Sequence, residues 1–154
     1  MLTCFDVADF FLALSEKEID AGEGITNLKL QKMVYYAQGF SLALFGKPLF
    51  DAPIEAWAHG PVVPDLYHCY KSCGSEPIPA PKDFDFDKFD QDTRKLLTDV
   101  YVVYGQFSAW KLRNLTHQEA PWIDAYEGPG TNNVISHESM KKYFITQLTD
   151  EERS

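Results

Sequence analysis

The chain has 154 residues, a formal net charge of −9 from 23 acidic and 14 basic side chains, and 45% hydrophobic residues. This length favours a single domain over residues 1–154, and the apolar content is sufficient for a core without disulfide bridges. The acidic balance disfavours a phosphate-binding surface, so we expect no nucleic-acid partner. The negative charge of the chain favours a basic protein as its partner instead.

The three cysteines, Cys4, Cys69 and Cys73, have no disulfide-framework spacing. The N-terminus shows no secretory signal, and the apolar stretches are short and interrupted by charges. These features predict a cytoplasmic protein of a reducing compartment, with no membrane partner.

Two helices are predicted in the first third of the chain. Asp6 is the expected N-cap of the first, and Thr26 that of the second, which ends at Gly46. The second helix has the most regular apolar stripe in the chain and is predicted to be the central one. Its stripe consists of Leu30, Met33, Val34, Ala37, Ser41 and Leu44.

The middle of the chain is less regular. Extended structure is expected near residues 50–58, and a helix from about Pro61, a residue suited to a first helical turn, to Cys73. Alternating Phe and Asp predict a short strand within residues 84–89.

The last third is predicted to be helical. Helices are expected to open at Asp92 or Thr93, at Ser108 and at Ser136. Thr116 and Glu119 have capping-box spacing, whereas Pro121 favours a later helix start. The predicted fold is mainly α: a single compact helical domain with at most a small β element near residues 50–58 and 84–89.

A metal site would have to use Cys69, Cys73 and the adjacent His68. Tetrahedral zinc requires four ligands, usually in two close pairs, and the second pair is missing. We therefore expect no metal and no cofactor.

A hydrolase is a further hypothesis, with His117 and Glu119, or His59 and Asp65, as an acid–base pair. No nucleophile elbow or P-loop accompanies these residues. Their alternative role is structural, with His117 and Glu119 forming a helix entry that orients Trp122. The hydrolase hypothesis requires the side chains to converge in an accessible pocket. Since no catalytic motif accompanies them, we expect that the protein is not an enzyme.

Lys29, Lys32 and Tyr36 are predicted to share a face of the central helix opposite the apolar stripe. This face is either simply solvated or a cationic and aromatic patch for a partner's acidic or polar surface. The large aromatic residues Trp57, Tyr67, Trp110 and Trp122 are expected in the core, although Trp and Tyr also serve as interface anchors.

Four blocks in order resemble the Panacea domain, a SocA-like antitoxin family that includes phage-associated proteins of the GepA type. The blocks are KLQKMVYYAQ, EAWAHGPV, YGQFSAWKL and HQEAPW. The resemblance implies a mostly helical antitoxin, of a kind carried by phages and mobile elements and linked to phage defence. Such antitoxins neutralise the protein toxin encoded by the adjacent gene, commonly by direct binding. Delivery of the toxin to a ClpXP-type AAA+ protease is the alternative mechanism.

The residues that carry the resemblance are expected to maintain the framework of the domain. Those assigned a structural role are Trp57, Gly60, Pro61, Tyr67, Trp110, His117, Glu119, Pro121 and Trp122. Candidate partner-binding residues are Lys29, Lys32, Tyr36, His59, Asp85 and Asp87, the last two in an acidic segment where family members differ. Monomer and homodimer both stay open.

Overall fold

The computed structural model describes residues 1–18 and 24–153. The helices are α1 (Cys4–Lys17), α2 (Asn27–Phe45), α3 (Pro64–Tyr70), α4 (Gln91–Tyr104), α5 (Ala109–Thr116), α6 (Ala120–Ala125), α7 (His137–Ile145) and α8 (Asp150–Arg153). The strands are β1 (Glu55–Trp57), β2 (Gly60–Val62) and β3 (Asn133–Val134). The predicted mainly-α fold is confirmed. Within the described residues, no helix is both long enough and apolar enough to cross a membrane.

Helix α1 begins earlier than predicted. The Thr3 hydroxyl accepts the Asp6 backbone N–H at 3.1 Å, and the Asp6 carboxylate accepts the Thr3 N–H at 2.9 Å. Asp6 is therefore the third helical residue of a capping box, and its prediction as the N-cap was wrong by one turn.

Helix α2 is the centre of the fold, as predicted. Thr26 caps its start and Gly46, in the left-handed conformation, ends it. It packs against α1, α3, α4, α5, α7 and β2, so it is buried on nearly every side rather than on one stripe. This all-round burial changes the setting of every polar residue that α2 carries.

The small sheet has the order β2-β1-β3, with both pairs antiparallel. Ala56 lies opposite Pro61 in one pair and opposite Asn133 in the other. Extended structure at β1 was predicted, but the helix start at Pro61 was wrong. Pro61 lies in an edge strand, where its missing N–H is tolerated, and Pro64 opens α3 instead.

The strand predicted within residues 84–89 is also wrong. A 3-10 turn spans Phe86–Lys88, and the Asp85 carboxylate accepts the Asp87 N–H at 2.9 Å, which closes the chain into a turn. The Phe–Asp alternation nevertheless separates the faces correctly. Phe84, Phe86 and Phe89 contact Phe10 of α1, while Asp85 and Asp87 face the solvent.

The helix starts of the C-terminal half follow side-chain caps. Ser108 and Ser136 cap α5 and α7 as predicted, whereas α4 is capped by Asp90, two or three residues before the predicted start at Asp92 or Thr93. Thr116 is the last residue of α5, so its predicted capping box with Glu119 does not form. Helix α6 begins next to Pro121, in agreement with the alternative prediction.

Candidate functional site

The hairpin of β1 and β2 forms a tight corner, which we define as residues 57–63. Gly60 has φ +110, a conformation that L side chains rarely adopt. A Cβ at Gly60 would lie 2.8 Å from the Thr116 hydroxyl and 2.9 Å from Lys32 Cε. Both the turn and the packing therefore require glycine here.

Side chains of α2 satisfy the outer edge of β2. Lys32 Nζ donates to the Pro61 carbonyl at 3.1 Å, and the Val63 N–H donates to Gln31 Oε1 at 2.9 Å. Gln31 in turn donates to Asn27 at 2.8 Å, one helical turn earlier. The strand edge thus pairs with a helix instead of another strand.

Lys32 is fully buried, so its predicted position on a solvent face was wrong. Burial, together with the smaller effect of the positive charge of Arg113, lowers the pKa of its ammonium to about 7. Its amine binds the interior of the corner and is not available to a partner at the surface of this structure.

Tyr36 is also buried, which corrects its predicted exposure. Its hydroxyl donates to Glu119 at 2.8 Å, and the Tyr35 hydroxyl donates to the other carboxylate oxygen at 3.2 Å. The Tyr36 ring stacks on Tyr104 with 3.9 Å between centroids. Lys32 and Tyr36 were misplaced for the same reason, because the face opposite the apolar stripe of α2 is covered by other elements.

Glu119 accepts these tyrosine hydrogen bonds inside the protein. Burial raises the pKa of its carboxyl group to about 7, although the hydrogen bonds from Tyr36, Tyr35 and Tyr143 oppose the shift. The same burial, together with the nearby Glu119 charge, raises the pKa values of both Tyr35 and Tyr36. This cluster joins α2 to the start of α6.

His117 and Trp122 hold the corner from the other side. The His117 ring nitrogens lie 2.7 Å from the Arg113 carbonyl and 2.9 Å from the Ala58 carbonyl. Trp122 Nε1 donates to the Trp57 carbonyl at 2.8 Å, and the His117 and Trp122 rings are in edge contact. Two consecutive carbonyls of the corner are thereby tied to residues 117 and 122.

The hydrolase hypothesis required His117 and Glu119 to converge in an accessible pocket. Instead, His117 contacts backbone carbonyls and Glu119 is buried among tyrosine hydroxyls. Of the second candidate pair, His59 and Asp65 are both exposed, on the corner and on α3. The observed contacts of His117 and Glu119 correspond to structural roles.

Trp57 and Tyr67 join the sheet to α3, with their rings in edge contact at 5.0 Å. Beside them lies a groove of about 480 Å³, which His59 also lines. Trp57 and Tyr67, expected in the core, are half-buried, and Trp110, also expected there, is 63% exposed. It lies on the outer side of the short helix α5, where Arg113 covers one face of its ring.

The other candidate partner-binding residues have separate settings. Lys29 is half-buried and donates to the Gly105 carbonyl at 2.6 Å. His59 is exposed in the corner. Asp85 and Asp87 are exposed on the turn beside α1, and Asp87 forms an ion pair with Arg94 at 3.3 Å.

Asn27 was not among the residues predicted to have a role. Asn27 donates to the Tyr67 carbonyl at 3.1 Å and so ties α2 to α3. The available signal was the presence of Asn27 and Gln31, four residues apart, in a helix that is otherwise rich in apolar residues. Cys69 and Cys73 are free thiols, and no cluster of three metal-ligating side chains occurs in residues 1–18 and 24–153.

Fold and site together define a mainly helical protein in which the motif residues of α2, α5 and α6 fasten a small sheet. The chain belongs to the family of SocA-like antitoxins with a Panacea domain, whose family model matches residues 30–123. A curated relative, Antitoxin SocA of Caulobacter vibrioides (strain NA1000 / CB15N), is 35% identical over 119 residues. The match covers 70% of this chain and 63% of the relative. No solved structure matches significantly.

Proposed function

We propose that this protein is an antitoxin that neutralises a cognate protein toxin by direct binding. The observation that supports this most is the use of the motif side chains. Lys32, Tyr36, His117 and Glu119 carry polar or ionisable groups, and all four are engaged in contacts within the fold. Family membership supports an antitoxin role, and a framework maintained from inside leaves the exposed residues free to select a partner.

The charge of the chain favours a basic toxin. A net charge of −9 speeds encounter with a cationic protein and opposes self-association. His59, Asp85 and Asp87 are exposed and are retained as candidate contacts. The proposal places antitoxin and toxin in the cytoplasm, with the toxin encoded by the adjacent gene.

Co-expression with the product of the adjacent gene tests the proposal. We expect the antitoxin to restore growth and to co-purify with the toxin, and we expect added salt to weaken the complex. Failure of both growth rescue and co-purification would overturn it. The half-life of the toxin separates the mechanisms, because direct binding leaves the toxin intact whereas delivery to a ClpXP-type protease shortens its lifetime.

A further inference from the structure

An apolar groove of about 450 Å³ runs between α2 and α4, and its lining residues do not include those of the corner. Phe40, Leu44 and Phe45 form its α2 wall, and Leu96, Val100 and Val103 form its α4 wall. The last three residues have the spacing i, i+4, i+7, which aligns them on one face of α4. We refer to this feature as the α2–α4 groove.

The walls of the groove carry apolar side chains that are partly exposed to solvent. Phe45 is 38% exposed and Val103 is 47% exposed, although both belong to helices that bury apolar residues a turn away. Val102, next to Val103 and 65% exposed, does not line the groove. A concave apolar surface between two helices is the shape that accepts the apolar face of a third helix.

The rim of the groove is acidic. Asp92, Asp99 and Glu152 line it together with one cation, Lys95. Lys95 is bound to Asp99 in an ion pair at 2.8 Å, so it neutralises a charge of the rim itself. An occupant with apolar residues in the centre and basic residues at the edges therefore complements the groove.

The charge pattern also argues against two other occupants. A second copy in a two-fold contact would bring the same acidic rim against itself, and the chain as a whole carries −9. An anionic lipid surface would be repelled by the same carboxylates.

We propose that the α2–α4 groove binds an amphipathic helix with basic flanks, and that this helix belongs to the toxin. The second clause rests on the proposed antitoxin function, whereas the first describes the groove itself. Apolar side chains of the helix at i, i+3 or i+4, and i+7 enter between Phe45 and Val103. Lys or Arg side chains on either side meet Asp92 and Glu152.

A synthetic peptide tests the groove without the toxin. The probe is a labelled helical peptide of about 18 residues with Leu at the apolar positions and Lys at the flanks, compared with the same peptide carrying Glu for Lys. In fluorescence anisotropy at low salt, we expect the Lys peptide to bind about tenfold more tightly than the Glu peptide. Equal affinities, or no binding of the Lys peptide, would overturn the proposal.

Two adjacent valines supply a matched pair of variants. Val103→Lys places a cation inside the groove and is expected to weaken binding of the Lys peptide by about tenfold or more. Val102→Lys adds the same charge one residue away, outside the groove, and is expected to change affinity less than about twofold. Similar effects of the two substitutions would contradict a site in the groove.

A rim variant provides an independent test of the groove in case Val103→Lys does not fold. Asp92→Lys alters an exposed residue and is expected to weaken Lys-peptide binding about threefold and to reduce its salt dependence. Circular dichroism and the midpoint of unfolding verify that each variant is folded. A dimer that Val103→Lys dissociates, or vesicle binding that it abolishes, would identify a different occupant and overturn the proposal.

Growth rescue separates this proposal from the antitoxin function. If the wild type rescues growth and Val103→Lys does not, while Val102→Lys does, the toxin uses the groove. If all three rescue equally, the toxin binds elsewhere and only the assignment of the groove fails. If the wild type itself fails to rescue and to bind toxin, the proposed function fails, and the peptide experiment alone decides what the groove binds.

Discussion

The Glu119 side chain is buried and accepts hydrogen bonds from two tyrosine hydroxyls. Its carboxyl group has a pKa of about 7 in the folded protein against 4.5 as the reference value. Between these values the folded state retains a proton that the unfolded state has lost. The unfolding free energy contributed by this group therefore falls as the pH rises from 4.5 to 7.

Replacing Glu119 by Gln removes this proton and its pH dependence. We expect the unfolding free energy of Glu119→Gln, minus that of the wild type, to rise by up to about 1.4 kcal/mol per pH unit between pH 4.5 and 7. Above pH 7 this difference should stay constant. Urea unfolding of both proteins at a series of pH values measures this difference. The exposed Glu127→Gln is the control, and a wild-type profile parallel to that of Glu119→Gln throughout would contradict the buried carboxyl.

Lys32 imposes the opposite dependence over a different range. Its pKa of about 7 lies below the reference 10.5, so the unfolded state binds the additional proton between these values and stability rises with pH. Lys32→Met should lose that rise. The unfolding free energy of the variant minus that of the wild type is therefore highest at and below pH 7 and falls toward pH 10.5. Urea unfolding checks this, with the exposed Lys141→Met as the control expected to follow the wild type.

Residue identity alone predicted the wrong setting for Lys32, Tyr36 and Trp110. A lysine opposite an apolar stripe is normally solvated, and a tryptophan is normally buried. Lys32 is buried with its amine bound to a carbonyl of the distant corner, whereas Trp110 is exposed on the outer side of α5. Both facts depend on contacts between distant segments, which spacing along one helix does not encode.

At the scale of elements, the contact of α2 with α7 is set by one glycine. A Cβ added at Gly39 would overlap the ring of Phe144, which also packs against Tyr35 and Phe40. The absence of a side chain at Gly39 therefore fixes how closely the two helices approach.

Gly39→Ala should destabilise the protein despite the better helix propensity of alanine. The propensity favours Ala by about 1 kcal/mol, whereas overpacking against Phe144 costs about 1–3 kcal/mol. We expect Gly39→Ala combined with Phe144→Leu to be more stable than the sum of the single changes predicts, by about 1 kcal/mol. Thermal and urea unfolding of all four proteins give the coupling, and strictly additive effects would show that the ring does not limit the approach.

The central helix, whose limits carry local signals, was predicted well, whereas strand β2, which depends on pairing, was not. The limits of α2 follow from Thr26 and Gly46, residues that act within one turn of themselves. The strand β2 was taken for a helix start because Pro61 suits both settings. The choice between them is made by β1 and by the side chains of α2, which are distant in the sequence.

At the scale of the whole molecule, the framework was foreseeable and the surface was not. Trp57, His117 and Trp122 were expected to maintain the framework, and their contacts tie the corner to residues 117 and 122. The α2–α4 groove was not predicted, because its walls come from residues about fifty positions apart and its rim includes the C-terminal Glu152. Such a surface exists only once α2 and α4 are packed together.

We propose that residues 1–154 unfold as one domain, since α1, α4, α5 and α7 all pack on α2. Val7→Ala, in the buried face of α1, should lower stability by about 1–3 kcal/mol. All three tryptophans lie between residues 57 and 122, outside α1. We therefore expect tryptophan fluorescence and far-ultraviolet circular dichroism to show the same lowered midpoint. A fluorescence transition that keeps its wild-type midpoint while the dichroism transition shifts would reveal that α1 unfolds separately.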